Sequence, residues 1–175
     1  MKFHEGLPVY SSNKDSFRIT EALNRHLSWL FNEPSGKKIN IANMQFEGME
    51  LINPIFTKGN LVRVTFKDCV LNGAVFQDST IKDCVFDNCS MERSIFTRAY
   101  VVRSGFNMCN LTESVFRKMD LQEGDFRRAI LKDSIFHGAN LFKADFREAD
   151  LRGVDTLALN FSGVKMSGSL RNHRF

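Results

Sequence analysis

The sequence predicts an all-β solenoid closed at its N-terminal end by an α-helical cap. Three observations carry that prediction. From Ile41 to Met166 an apolar residue returns every five positions without insertion or deletion, and only Thr156 breaks the rule. Two positions before each of these centres stands a second residue that is nearly always small. Ahead of the repeats, residues 15–33 (DSFRITEALNRHLSWLFNE) place apolar side chains at helical spacing. A five-residue period fits neither the 3.6 of a helix nor the 2 of a flat strand, so the chain must turn a corner once per repeat and wind into a coil.

The helix comes first. Ile19, Leu23, Leu27 and Leu30 define its apolar stripe, Ala22, Trp29 and Phe31 widen it, and Pro34 and Gly36 end it. Asp15, Ser16 or Thr20 is available to cap its start. An open solenoid end exposes core and unpaired strand edges, so covering the first coil is the expected role. A partner-binding or dimer helix is the second reading. Membrane-surface insertion is disfavoured because the polar face carries mixed charge rather than a basic stripe. The division is therefore 1–38 for leader and cap, 39–169 for the repeats and 170–175 for a polar tail.

In the repeats the centres alternate between aliphatic residues and Phe, as in Leu61, Phe66, Leu71, Phe76, Ile81 and Phe86. The small positions read Val64, Cys69, Ala74, Ser79, Cys84, Cys89 and onward to Ala149. A large and a small inward residue three apart suit a narrow tube filled by side chains. The remaining three residues of each repeat are mostly polar and face water. The segment Ala139 to Asp155, with Asn140-Leu141 and Asp150-Leu151, resembles the pentapeptide-repeat family and its A-(D/N)-L-x-x pattern. Membership implies a right-handed quadrilateral parallel β-helix with four pentapeptides to a coil. Residues twenty apart then stack, about 4.8 Å apart, in a rod about 30 Å long. One Phe ladder contains Phe46, Phe66, Phe86, Phe106, Phe126 and Phe146; a second, on the opposite side, contains Phe56, Phe76, Phe96, Phe116 and Phe136. Together they hold 11 of the 17 Phe, so the aromatic richness belongs to the core.

The chain has 175 residues and 43% hydrophobic content, enough for one domain with a core. It has no membrane-spanning stretch, and the N-terminus lacks a signal-peptide core. A cytoplasmic protein is the default expectation, although a secretion system reading an unstructured N-terminus would leave no clear mark. The net charge of +4 sits at the ends. Residues 1–38 hold six Lys/Arg against four Asp/Glu, residues 39–169 hold sixteen against sixteen, and Arg171 and Arg174 complete the total. That distribution bears on the family's best-known members, which mimic DNA with an acidic rod and occupy type II topoisomerases. An electrically neutral rod weakens such a reading. No direct nucleic-acid contact is expected.

No catalytic constellation is visible. Nucleophile–base spacings, phosphate loops and metal motifs are missing by pattern, and His4, His26, His137 and His173 are scattered. Neither cofactor nor metal is expected. Cys69, Cys89 and Cys109 fall in one column, with Cys84 on an adjacent face, and all four occupy the small inward position. Parallel side chains in a column do not converge tetrahedrally on a metal, and rung spacing alone does not make a disulfide, so buried reduced thiols are expected.

One outward position departs from polarity. The residue preceding each Phe of the second ladder is Ile55, Val75, Ile95, Val115 or Ile135. Lys58, Arg98, Arg117 and Lys118 form a basic border beside it. The stripe reads as a docking surface for a protein partner. Two alternatives stand beside that: β-branched residues that merely strengthen the wall, and cover by another part of the chain. A second stripe after the centres, Ala42, Val62, Val102 and Phe142, is interrupted by Lys82 and Gln122. The expected function is non-enzymatic protein binding through a flat solenoid face. The resemblance adds two specific alternatives: a DNA gyrase- or topoisomerase-binding protein conferring quinolone or toxin resistance, and a bacterial effector secreted into host cells. Dimerising members of the family often use a C-terminal cap, and the short polar tail leaves the oligomeric state open.

Overall fold

The computed structural model describes residues 14–155, 159 and 161–171, with helical side chains from Phe17 onward. Helix α1 runs Lys14–Leu30 and is followed by short strands arranged in pairs. These are β1 (Asn40–Ala42), β2 (Gln45–Glu47), β3 (Asn60–Val62) and β4 (Thr65–Lys67), then β5 (Thr80–Lys82), β6 (Val85–Asp87), β7 (Tyr100–Val102) and β8 (Gly105–Asn107). Two parallel sheets result, ordered β1-β3-β5-β7 and β2-β4-β6-β8. Each register joins residues twenty apart, as in Ile41↔Leu61 and Phe46↔Phe66.

Two further walls are single-residue bridges with the same step. One runs Glu50↔Val70↔Ser90↔Asn110↔Ile130↔Asp150↔Leu170, the other Ile55↔Val75↔Ile95↔Val115↔Ile135↔Asp155. The sheet walls continue as bridges through Asp120 to Asn140 and through Asp125 and Asp145 to Lys165. The molecule is thus a parallel β-solenoid with four walls, one pentapeptide per wall. Bridging reaches Leu170, the first residue of the expected tail; residues 172–175 lie outside the described ones.

The corner explains the period. In the repeat around Leu71 the amides of Leu71 and Gly73 donate to Ser90 and Glu92 of the next coil at 2.7 and 2.8 Å. Val75 donates back to Pro54 of the preceding coil at 2.9 Å, and Ala74 closes the turn onto the Leu71 carbonyl at 3.1 Å. Two residues after each centre the backbone takes positive φ, from Asn43 through Glu148 and on to Gly168. Only six of these corners are glycine; the rest include Lys58, Arg98, Arg103 and Met108. A non-glycine residue in that region costs roughly 1–2 kcal/mol, so the inter-coil hydrogen bonds and the core must outweigh it at every corner.

The core is filled as the sequence predicts as far as Leu151. Every centre from Ile41 to Leu151 is buried, as is every small position from Val64 to Ala149. Within each Phe ladder neighbouring rings lie nearly parallel, as for Phe56–Phe76 at 4.8 Å and Phe86–Phe106 at 4.9 Å. Between ladders they meet edge to face, as for Phe76–Phe86 at 5.8 Å and Phe96–Phe106 at 5.3 Å. In the edge-to-face pairs the positive edge of one ring meets the negative face of the other. The pattern keeps its register at Phe161, yet that side chain is 38% exposed. It lies in the last described coil, where no further described rung stacks on it.

The small polar residues do more than fit. The Cys84 amide donates to Ser104 Oγ at 3.0 Å and the Ser94 amide to Ser114 Oγ at 3.1 Å. The Val64 amide uses Cys84 Sγ in the same way at 3.5 Å. For Val64 and Cys84 these contacts satisfy corner amides that have no backbone acceptor among the described residues, whereas the Ser94 amide shares its hydrogen with the Met91 carbonyl at 3.3 Å. Ser104→Ala should cost about 1–3 kcal/mol in urea unfolding, because it orphans the Cys84 amide. Ser104→Cys, which keeps an acceptor, should cost less.

The cap differs from its expected face. The buried side chains of α1 are Ile19, Leu23 and His26, while Leu27, Trp29 and Leu30 are half-buried and Phe31 is 76% exposed. The reason is polar. His26 Nδ1 accepts from the Ile39 amide at 3.1 Å, and His26 Nε2 donates to the Thr57 carbonyl at 2.8 Å. The helix therefore ends the first coil with a group that can pair with its exposed main chain, which Leu at that place could not do. Trp29 stacks on the imidazole at 5.5 Å. Asp15, Ser16 and Thr20 fall inside the helix rather than ahead of it, and the side chains of the first two lie outside the described residues.

Candidate partner-binding face

Ile55, Val75, Ile95, Val115 and Ile135 form one continuous bridge column on the wall of the second Phe ladder. Each sits directly before an inward Phe, so it points outward. All five are half-buried, because successive rungs cover one another along the column. More exposed apolar residues occur singly on other walls: Val85 at 46%, Tyr100 at 53% and Met108 at 47%. What sets the column apart is continuity rather than the exposure of any member. Val62, Val102 and Phe142 of the second stripe are half-buried, whereas Lys82 and Gln122 interrupt it in full exposure.

The basic border is smaller than its residue count suggests. Arg98 makes a bidentate pair with Asp78 of the preceding coil, Nε–Oδ1 at 2.6 Å and Nη2–Oδ2 at 2.8 Å. That hydrogen bonding holds the Asp78 carboxyl below its ordinary range, so its charge persists and Arg98 stays engaged. Arg117 and Lys118 are exposed, and among the described residues neither has a carboxylate within ion-pair distance. Lys58 is exposed at its corner.

The same neutralisation recurs over the rod. Arg103 pairs with Asp83, Arg93 with Glu113, Arg128 with Glu148 and Lys67 with Glu47, each across one coil. Within single repeats Arg127, Arg147 and Arg152 fold back onto Asp125, Asp145 and Asp150. Hydrogen bonds from Arg103, Arg147 and Arg152 lower the pKa values of Asp83, Asp145 and Asp150. The sequence shows an overall neutral rod; the pairs show that neutrality is local.

All four cysteines are buried and free. Their thiols donate to backbone carbonyls, as from Cys89 Sγ to Phe66 at 3.3 Å. The hydrogen bond with Cys109 pushes the Cys89 thiol up to about 12, contact with Cys89 followed by burial raises Cys69, and burial raises Cys84. Such thiols are protonated at neutral pH and make poor nucleophiles. His137 is exposed, and His4 and His173 lie outside the described residues. Among the described residues no three His, Cys, Asp or Glu side chains gather as metal ligands, and no helix is long and apolar enough to cross a membrane.

The arrangement is that of a stacked five-residue-repeat solenoid whose outer surfaces are the parts open to other molecules. Family models agree: one for the pentapeptide repeat region matches residues 39–116, and one for pentapeptide repeats, in eight copies, matches residues 109–147. The chain belongs to the pentapeptide-repeat family. Among solved structures it is similar to Rfr23, a pentapeptide repeat protein of the cyanobacterium Cyanothece 51142. That match has a TM-score of 0.50 and 16% identity, and covers 89% of this chain and 96% of that one. A pentapeptide repeat protein from the Arabidopsis thaliana thylakoid lumen matches at TM-score 0.45 and 20% identity, over 70% and 71% of the two chains. QnrB1, a plasmid-mediated fluoroquinolone resistance protein, matches at TM-score 0.38 and 15% identity, over 78% and 91%. At 16% identity the likeness to Rfr23 is one of fold. No curated protein sequence matches the chain.

Proposed function

We propose that this protein is a non-enzymatic binding module that docks a protein partner on the wall bearing Ile55, Val75, Ile95, Val115 and Ile135. The observation that carries the reading is the unbroken apolar column, five rungs long, on a rod whose other exposed apolar residues stand singly. Arg117 and Lys118 supply an unpaired basic rim for an acidic edge of the partner. The paired carboxylates speak against the alternative in which an acidic rod imitates DNA in a topoisomerase. Such a rod needs an uncompensated field, and here Asp78, Asp83, Asp125, Asp145 and Asp150 each hold a cation.

The test is affinity capture with the double variant Ile95→Lys/Val115→Lys beside wild type and Val85→Lys, the last adding a lysine to a different wall. Docking predicts that a partner held by wild type and by Val85→Lys is lost from the double variant, while the melting temperature changes by only a few degrees. A partner lost equally from both would remove the assignment to this wall. A double variant that unfolds would instead show that the column strengthens the wall. Purified gyrase and topoisomerase IV subunits belong in the same assay, since their retention by wild type would favour the resistance-type role.

A further inference from the structure

Between α1 and the first strand lies a cleft of about 340 Å³ lined by Arg18, Glu21, Arg25, Lys37, Lys38 and Asn40, among others. Of these six lining residues four are cationic and one is a carboxylate. Most arginines of the solenoid are neutralised by a partner carboxylate, whereas among the described residues no carboxylate lies within ion-pair distance of Arg25, Lys37 or Lys38. Unpaired positive charge thus gathers in this recess beside the cap.

The cleft is also built. Arg18 and Arg25 stand seven residues apart, two turns of α1, and therefore share a helix face. The opposite side is held in place by the Lys37 amide, which donates to the Arg25 carbonyl at 2.8 Å. Lys38 is further fixed with its ammonium 5.9 Å from the centre of the Trp29 ring. Its charge reaches the interior, where it adds to burial in lowering the pKa of His26.

We propose that this cleft binds a small anion carrying two or more phosphate groups. Guanidinium groups present paired donors to phosphate oxygens, ammonium groups add point charge, and the size falls within that of small-ligand sites. A recess bounded on both sides suits a compact multiply charged ligand better than an extended acidic chain. An anion that binds only where α1 is docked on the first coil should stabilise the cap by mass action.

The experiment titrates the full chain with inorganic tripolyphosphate at constant ionic strength, following fluorescence of the single tryptophan and the melting temperature. The expected result is saturation with a midpoint below about 1 mM, together with a rise in melting temperature. Arg25→Gln/Lys38→Gln should weaken binding at least about tenfold. Arg117→Gln/Lys118→Gln, an equal loss of charge on the solenoid wall, should leave it unchanged. A response that does not saturate, or one that both double variants weaken alike, would overturn the site as nonspecific charge attraction. Tighter binding of a glutamate-rich peptide than of tripolyphosphate would overturn the ligand class.

Discussion

Phe96→Ala should lower the unfolding free energy by about 3–5 kcal/mol, enough to remove a large part of the stability of a domain this size. Phe96 is fully buried, stacked on Phe76 at 4.8 Å and Phe116 at 5.2 Å, and edge-on to Phe106 at 5.3 Å. Its removal opens a void in a tube whose width is set by the four walls, so the surroundings have little freedom to collapse. Phe96→Leu separates two contributions. If apolar area alone stabilises the tube, Leu should cost less than about 1.5 kcal/mol. Three aromatic contacts, each about 0.5–1.5 kcal/mol beyond area, predict a larger loss. Phe161→Ala is the contrast: with 38% of that side chain exposed, its effect should be a fraction of the other. Urea unfolding of the three variants decides. A cost below about 1.5 kcal/mol for Phe96→Ala would mean that the walls can close around the gap, and that the two ladders do not hold one another.

That experiment probes the part of the fold most legible in the sequence. Large and small inward positions are both apolar or small, and their five-residue recurrence survives from Ile41 to Leu151, so pattern alone places them. The corners were legible only in part. Glycine, Asn or Asp marks some of them, as at Asn43, Gly73, Asp83 and Asn88, but the left-handed conformation falls equally on Lys58, Arg93, Arg98, Arg103, Glu113 and Met108, which look like ordinary surface residues. Their conformation comes from closing the coil, a constraint that no single repeat carries. The hydrogen-bonding role of Ser104 and Ser114 was hidden for a related reason: its acceptor and donor lie twenty residues apart.

The proposed face was legible only in part. Spacing places Ile95 and Val115 in one column, but it does not reveal that Arg98, counted with the basic rim, is engaged by Asp78. The basic cleft could have been suspected from the cation excess in residues 1–38 and from adjacent Lys37 and Lys38. What joins them to Arg18 and Arg25 is the docking of α1, and that docking depends on a histidine that hydrophobic pattern overlooks.

His26 should make stability fall as the solution is acidified from pH 7.5 to 5. The buried imidazole is neutral in the fold, with Nδ1 accepting from Ile39 and Nε2 donating to Thr57. Burial, opposed by the Thr57 hydrogen bond and assisted by Lys38, sets its pKa below the ordinary 6.5. The unfolded chain therefore binds a proton first. Its stabilising contribution is complete above about pH 6.5 and is lost as pH falls from there toward the lower folded-state value, with a slope of at most about 1.4 kcal/mol per pH unit. Protonation would also put hydrogen on Nδ1, where it would face the Ile39 amide and break that bond. The Arg-paired carboxylates Asp78, Asp83, Asp145 and Asp150 titrate below this window, since hydrogen bonds from arginine lower their pKa values. His26→Ala leaves the Ile39 amide and the Thr57 carbonyl without partners and should cost about 2–4 kcal/mol at pH 7.5. His26→Gln retains a donor and an acceptor without a proton to gain, so it should be less damaging and should flatten the pH dependence. Trp29, stacked on the ring, reports the cap directly by fluorescence. An equal slope in wild type and His26→Gln would assign the acid sensitivity elsewhere, whereas a slope confined to wild type would establish that one buried histidine couples the helix to the first coil.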